Sequence, residues 1–202
     1  MAASTLAAAC AAPAQGALDD ALRAKGQCRE GQIQGGYTLR SAQGQLRVQG
    51  AYNFGQRVGS FIFWNSMGAR IAHIPFDADM VSGTVSLWYD ANRRSEGSRR
   101  LEAAYRRGER HGSTRAWYAD GRPRLEAEYA DGALQSVRAW SDDGSELAPD
   151  PARAVAAEER AADADYIDDL IALVRRHPPD CRVAPPARLR AMHPSFDTER
   201  NA

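Results

Sequence analysis

"YRRGERHGSTRAWYADG", residues 105–121, sets a tyrosine, two glycines, a Trp-Tyr pair and a closing glycine at fixed intervals. Its landmarks are Tyr105, Gly108, Gly112, Trp117 and Gly121. Stepping 24 residues downstream finds Tyr129, Gly132, Trp140 and Gly144, with one residue fewer before the Trp and no second glycine. Stepping upstream past a five-residue insertion around residues 92–100 finds Phe76, Gly83 and Trp88, with Asp79 in the place of the first glycine. A further 24 residues back stand Tyr52, Gly55, Gly59, Trp64 and Gly68. Another 24 give Cys28, Gly31, Gly35 and Gly44, with Arg40 where the other copies carry Trp. The chain therefore holds about five copies of one unit over residues 27–147. A fixed period of this length marks a repeat architecture, and it has to be recognised before any single motif is interpreted.

Each unit reads as a β-hairpin. Ahead of each aromatic runs an alternating stretch: Leu46, Val48, Gly50, Tyr52; Ala72, Ile74, Phe76; Leu101, Ala103, Tyr105; Leu125, Ala127, Tyr129. Period-two alternation marks half-buried strands. The glycines three and seven residues past the aromatic supply the positive φ angles of a tight connection. A second strand ends at the Trp, and "NSMG", "YADG" or "SDDG" then turns the chain toward the next unit. Joined in series, the units predict a mainly β fold: an antiparallel meander whose like-placed aromatics form two columns. One column is Tyr52, Phe76, Tyr105 and Tyr129; the other is Trp64, Trp88, Trp117 and Trp140. Single hairpins are marginal in water, so each relies on its neighbours to bury its apolar side.

The pattern Tyr-x-x-Gly-x-x-x-Gly-x-x-x-x-Trp-Tyr-x-x-Gly resembles the variant MORN repeat of bacterial YwqK-type antitoxin-like proteins. Residues 105–121 match it closely; Trp140 is followed by Ser141, and the first copy lacks both aromatics. The resemblance spans about three-fifths of the chain. It implies an interaction or scaffolding module and brings no catalytic residues.

The sequence has 26 basic and 26 acidic residues, so its formal net charge is zero. Nonspecific nucleic-acid binding needs a surplus of cations to displace counterions, and no nucleic-acid partner is expected. The charges are unevenly spread. Residues 93–124 carry ten Arg against four acids, a net of +6, and residues 141–170 carry ten acids against two Arg, a net of −8. These segments either face each other, or are solvated, or serve different partners.

The ends differ from the middle. Residues 1–26 form an export-signal-like or flexible Ala-rich segment in which "TLAAAC" resembles a lipobox, making Cys10 the candidate for lipidation and membrane anchoring. No stretch reaches the ~18 apolar residues of a membrane-spanning helix. With Cys10 set aside, Cys28 and Cys181 remain as a candidate disulfide joining the two ends; the alternative is two unrelated thiols. Within residues 148–177, Asp150 as N-cap, Pro151 at the first position and Val155, Tyr166, Ile167, Leu170, Ile171 and Val174 at helical spacing predict one helix over 151–176. Its apolar stripe is expected to lie on one end or face of the sheet, capping an edge strand; the alternative is an amphipathic helix that binds a partner. Residues 178–202, with several prolines, read as an extended tail.

No pattern points to chemistry. The histidines, His73, His111, His177 and His193, show no ligand spacing, so neither a metal site nor a cofactor is expected. The adjacent acids Asp142–Asp143 and Asp168–Asp169 diverge on a strand or helix and make a poor carboxylate pair. The turn glycines Gly31, Gly35, Gly55, Gly59, Gly83, Gly108, Gly112 and Gly132 need no phosphate to explain them. Three readings follow. The first is a non-enzymatic protein-binding or scaffold protein of the bacterial cell envelope, using the repeat sheet and its aromatic columns. The second is a cytosolic antitoxin- or immunity-like protein that masks a partner. The third is an enzyme acting on an envelope polymer with a site that local sequence does not reveal. Open sheet edges would allow pairing into a homo-oligomer.

Overall fold

In the computed structural model, which describes residues 21–91 and 97–181, the alternating runs are strands. They are β1 (Arg23–Arg29), β2 (Gln32–Arg40), β3 (Leu46–Asn53), β4 (Gln56–Trp64), β5 (Arg70–Asp77), β6 (Met80–Val81), β7 (Gly83–Trp88), β8 (Arg99–Arg106), β9 (Glu109–Trp117), β10 (Pro123–Ala130) and β11 (Ala133–Ala139). All pair antiparallel in one sheet in sequence order, with the short β6 alone off the path, beside β5. The sheet begins at Arg23, so the end of the segment assigned as N-terminal, residues 1–26, belongs to the first strand.

Two turn types alternate. At one end of the sheet the connections are two-residue turns with both residues at positive φ: Glu30 and Gly31, Phe54 and Gly55, Ala78 and Asp79, Arg107 and Gly108, Asp131 and Gly132. That is the type I′ hairpin, whose twist matches the strands it joins. At the other end, four five-residue turns repeat one bonding pattern. Gly44, Gly68, Gly121 and Gly144 donate to the carbonyls of Ser41, Asn65, Tyr118 and Ser141, at 2.9 to 3.1 Å. Units are stitched together as well: the amides of Gly55, Asp79, Gly108 and Gly132 donate to Ile33, Arg57, Val81 and Arg110, each in the preceding unit.

The register lines up one apolar row across the whole sheet. Leu39, Val48, Phe63, Ala72, Leu87, Leu101, Ala116, Leu125 and Ala139 are successive cross-strand partners. None is more than 2% exposed. Just beyond this row each unit has a bulge, and its extra residue points to the same side: Arg47, Ile71, Arg100 and Arg124. This displaces Leu46, expected in the core, to a half-buried position.

Over this apolar side lies α1 (Pro149–Arg176). The helix begins two residues earlier than 151; its N-cap is Ala148, and Asp150 sits in the first turn, bonded to Arg153 at 2.9 Å. It lies across a face of the sheet and packs most closely on the edge strand β11, with β10 next. Its side chains meet β10 through Glu159 and Arg124, β9 through Asp163 and Arg110, and β8 through Asp163 and Arg100. At its far end the Tyr37 hydroxyl of β2 donates to the His177 carbonyl at 2.8 Å. The helix thus crosses the strands from β11 to β2. The reason lies in its buried stripe, Ala152, Ala156, Glu159, Asp163, Ile167, Leu170 and Val174, which runs unbroken along its length at helical spacing. The chain then folds onto β1: Pro179 covers Gly26, where a β-carbon would come within 3.0 Å of its ring, and Cys181 is disulfide-bonded to Cys28. Cys10 and residues 182–202 lie outside the described residues.

Candidate functional site

With the helix on one side, strand alternation sends the remaining side chains to the opposite side, which no element among the described residues covers. There the Trp residues that end β4, β7 and β9, with the one that follows β11, form a line: Trp64, Trp88, Trp117 and Trp140, all half-buried. They are not stacked ring on ring. Guanidinium groups lie between them: Arg70 is 4.2 Å and Arg99 5.3 Å from the Trp88 ring, and Arg138 is 5.0 Å from the Trp140 ring. Cation–π contacts of this kind brace the Trp88 and Trp140 rings. The residue after each Trp locks the next unit in place. The Tyr89 and Tyr118 hydroxyls donate to the Trp117 and Trp140 carbonyls at 2.8 and 2.7 Å. In an earlier unit Asn65 does the equivalent, donating to the Ala91 carbonyl at 2.7 Å and to Asp90.

Beside the Trp line runs a second outward row of cross-strand partners: Lys25, Thr38, Gln49, Ile62, His73, Ser86, Glu102, Arg115, Glu126 and Arg138. Over β9 to β11 this row borders a shallow hollow of about 240 Å³ lined by Arg115, Glu126, Glu128, Ser136 and Arg138. Burial and the neighbouring Arg70 hold the His73 imidazole below its ordinary pKa, and its Nε2 lies 2.9 Å from the Ser60 hydroxyl.

The other aromatic column has a different fate. Tyr52, Phe76 and Tyr129 are buried and Tyr105 is half-buried, all on the helix side, so most of this column is packed inside the fold. Nor do its members stack directly. Phe61 separates Tyr52 from Phe76, at 5.6 and 5.2 Å, and Arg110 bridges Tyr105 and Tyr129, at 6.0 and 5.5 Å. The turn residues Gly31, Gly35, Gly55, Gly59, Gly83, Gly108, Gly112 and Gly132 all have positive φ, which accounts for them as backbone devices. His111 accepts the Asp131 amide through Nδ1 at 3.3 Å, a turn contact. Among the described residues no group of His, Cys, Asp and Glu is placed to hold a metal ion. No described helix is long and apolar enough to cross a membrane.

Sequence reading missed the arginines that point inward. Arg47, Arg57 and Arg110 are buried, and Arg100 and Arg124 half-buried, although Arg in a strand ordinarily signals solvent. Asp163, fully buried, takes Arg100 at 2.8 Å and Arg110 at 2.7 Å; Glu159 lies 2.8 Å from Arg124 Nε without hydrogen-bond alignment. Burial pushes both carboxyls upward in pKa, and the guanidiniums oppose it. The basic and acidic segments therefore meet through these five side chains. A signal was present: Arg47, Arg100 and Arg124 hold one position in the repeat, five residues before the tyrosine of their unit.

Compared with known proteins, the chain matches no family model and shows no significant similarity to a curated protein.

Proposed function

We propose that this is a non-enzymatic, MORN-type repeat protein that binds a protein partner on the uncovered side of its sheet and acts in the bacterial cell envelope. One observation carries the reading. The side without a helix presents four half-buried Trp with Arg between them in a continuous line. Trp and Arg are the residues most often found at the energetic centre of protein interfaces. The Trp88 and Trp140 rings are already braced by guanidiniums and packed units, so little side-chain entropy is lost on binding. Protein recognition fits better than stacking on bases or sugars, because Arg70 and Arg99 both lie against the Trp88 ring. The Cys28–Cys181 disulfide supports an oxidising compartment.

The test combines location and contact. Intact mass of the protein isolated from its native host, with and without reductant, reports cleavage near Cys10, acylation and the disulfide. A full-length, unmodified chain with free thiols overturns the envelope assignment and leaves the cytosolic antitoxin-like role as the reading. Capture of a stoichiometric partner by the native protein, lost in Trp88→Ala/Trp117→Ala, supports the binding side; capture indifferent to that variant overturns it.

A further inference from the structure

We infer that the uncovered side of the sheet also docks the exposed side of α1 from a second copy of this chain, so that molecules stack face to back. The inference rests on the sheet side being a contact surface, and it adds an occupant.

Charge complementarity argues for it. On the Trp-side half of the sheet from β1 to β9, the outward charged residues are Arg23, Lys25, Arg40, Arg70, Arg99 and Arg115, against Glu102; beyond β9 the row continues with Glu126, the cross-strand partner of Arg115. Glu102 is committed to Arg99. Among the described residues, Arg70 and Arg115 have no carboxylate within ion-pair distance. The exposed side of α1 is the reverse. Glu158, Asp165 and Asp169 recur at i, i+7 and i+11, in line with one another and opposite the buried stripe, and Arg176 ends the line at i+18. Ala154 and Ala161, also exposed, stand in the same line and leave the carboxylates clear for a flat surface to approach.

Geometry agrees. The helix crosses its own sheet from β11 to β2, and the Trp line also crosses the strands. A copy displaced along the sheet normal therefore lays its helix across the strands that carry the neighbour's Trp line. The spacings are commensurate: Arg70 and Arg115 are three strand steps apart, ~14 Å, and Glu158 to Asp169 spans ~16 Å of helix. The two surfaces are different patches of one molecule, so the contact is heterologous. Repetition by translation does not close, and the assembly is an open stack.

Sedimentation velocity of the full chain over a concentration series is the test. At low ionic strength the protein should sediment as a growing series of species, and at 1 M salt, where the Debye length is ~3 Å, as a single chain. Arg70→Ala/Arg115→Ala removes one surface and Glu158→Gln/Asp165→Asn/Asp169→Asn the other. Each variant alone should remain a single chain, and an equimolar mixture should form a complex of two chains and nothing larger, because each variant keeps one intact surface. Circular dichroism confirms that both variants fold. A wild type that stays monomeric throughout, or self-association that survives either variant, overturns the stack. In that event, partner capture that remains sensitive to Trp88→Ala/Trp117→Ala leaves the binding side standing, so the two failures are distinguishable.

Discussion

Arg110 Nη2 and Asp163 Oδ2 sit 2.7 Å apart between β9 and α1, with side chains 2% and 0% exposed. The acid also holds Arg100, so one carboxylate serves two cations under the helix. Replacing buried ion pairs by apolar groups is often neutral, but removing one partner strands the rest. Asp163→Ala should therefore destabilise the fold by about 3–5 kcal/mol. Chemical denaturation measures this, and the triple change Asp163→Leu/Arg110→Met/Arg100→Met should recover most of the loss. An undiminished midpoint in Asp163→Ala would show that the pair is solvated.

Gly50 and Phe61 set a second constraint. A β-carbon at Gly50 would stand 2.5 Å from the Phe61 ring, which is itself fully buried. Gly50→Ala should cost about 1–3 kcal/mol through overpacking, and Gly50→Ala/Phe61→Leu should be milder than the sum of the two single changes. Strict additivity in that cycle would remove the clash as the cause.

Phe54 is a bulky residue at φ 45° in a type I′ turn and is 62% exposed, so it gains nothing from burial. Asn tolerates this region far better and is the favoured residue before glycine in such a turn. Phe54→Asn should raise stability by about 1 kcal/mol, read as a rise in Tm. A lower Tm would mean that the ring makes a contact the turn depends on.

The Cys28–Cys181 bond closes a separation of 153 residues and pins the chain after α1 to β1. Reduction, or Cys28→Ser/Cys181→Ser, should lower stability by about 2–5 kcal/mol. Hydrogen exchange should speed up first in β1 and the last turns of α1. Uniform acceleration across the sheet would show that the bond acts on the whole fold instead.

Asp143 accepts bonds from the Ser141 hydroxyl at 2.6 Å and the Ser145 amide at 2.8 Å. With the Ser141 bond foremost, these hold its carboxyl at about 2, against an ordinary 3.8. A depressed carboxylate stabilises the fold above its unfolded value, and that contribution is lost as pH falls through about 2. A carboxyl NMR titration should place the midpoint there and move it upward in Ser141→Ala. An unmoved midpoint would assign the shift elsewhere.

How much of this was legible beforehand depends on which physical rule each residue obeys. The period, the hairpins and the turn positions were readable because glycine at positive φ and alternating apolar residues obey local rules. Asp79, standing in for the first turn glycine of its unit, keeps a φ of 69°. The path of α1 was not readable. Its N-terminal half is buried through Ala152, Ala156, Glu159 and Asp163, which carry no apolar signature. Their partners are arginines turned inward by bulges, and a one-residue register shift leaves no trace in composition. The two columns looked alike in sequence, and only the side taken by the helix separated the buried Tyr52 from the accessible Trp88.

The crossing of α1 over the repeats fixes their number. Repeat arrays ordinarily gain and lose units freely, because each touches only its neighbours. Here a 28-residue helix measures ~42 Å, and the eight strand gaps it crosses from β11 to β2 measure ~38 Å. Loss of one unit shortens the sheet by two strand spacings, ~10 Å. That would carry Tyr37 past the helix end and pull Cys28 out of reach of Cys181 unless about seven helical residues went with it. The helix is a ruler, and this protein can change length only by changing sheet and helix together.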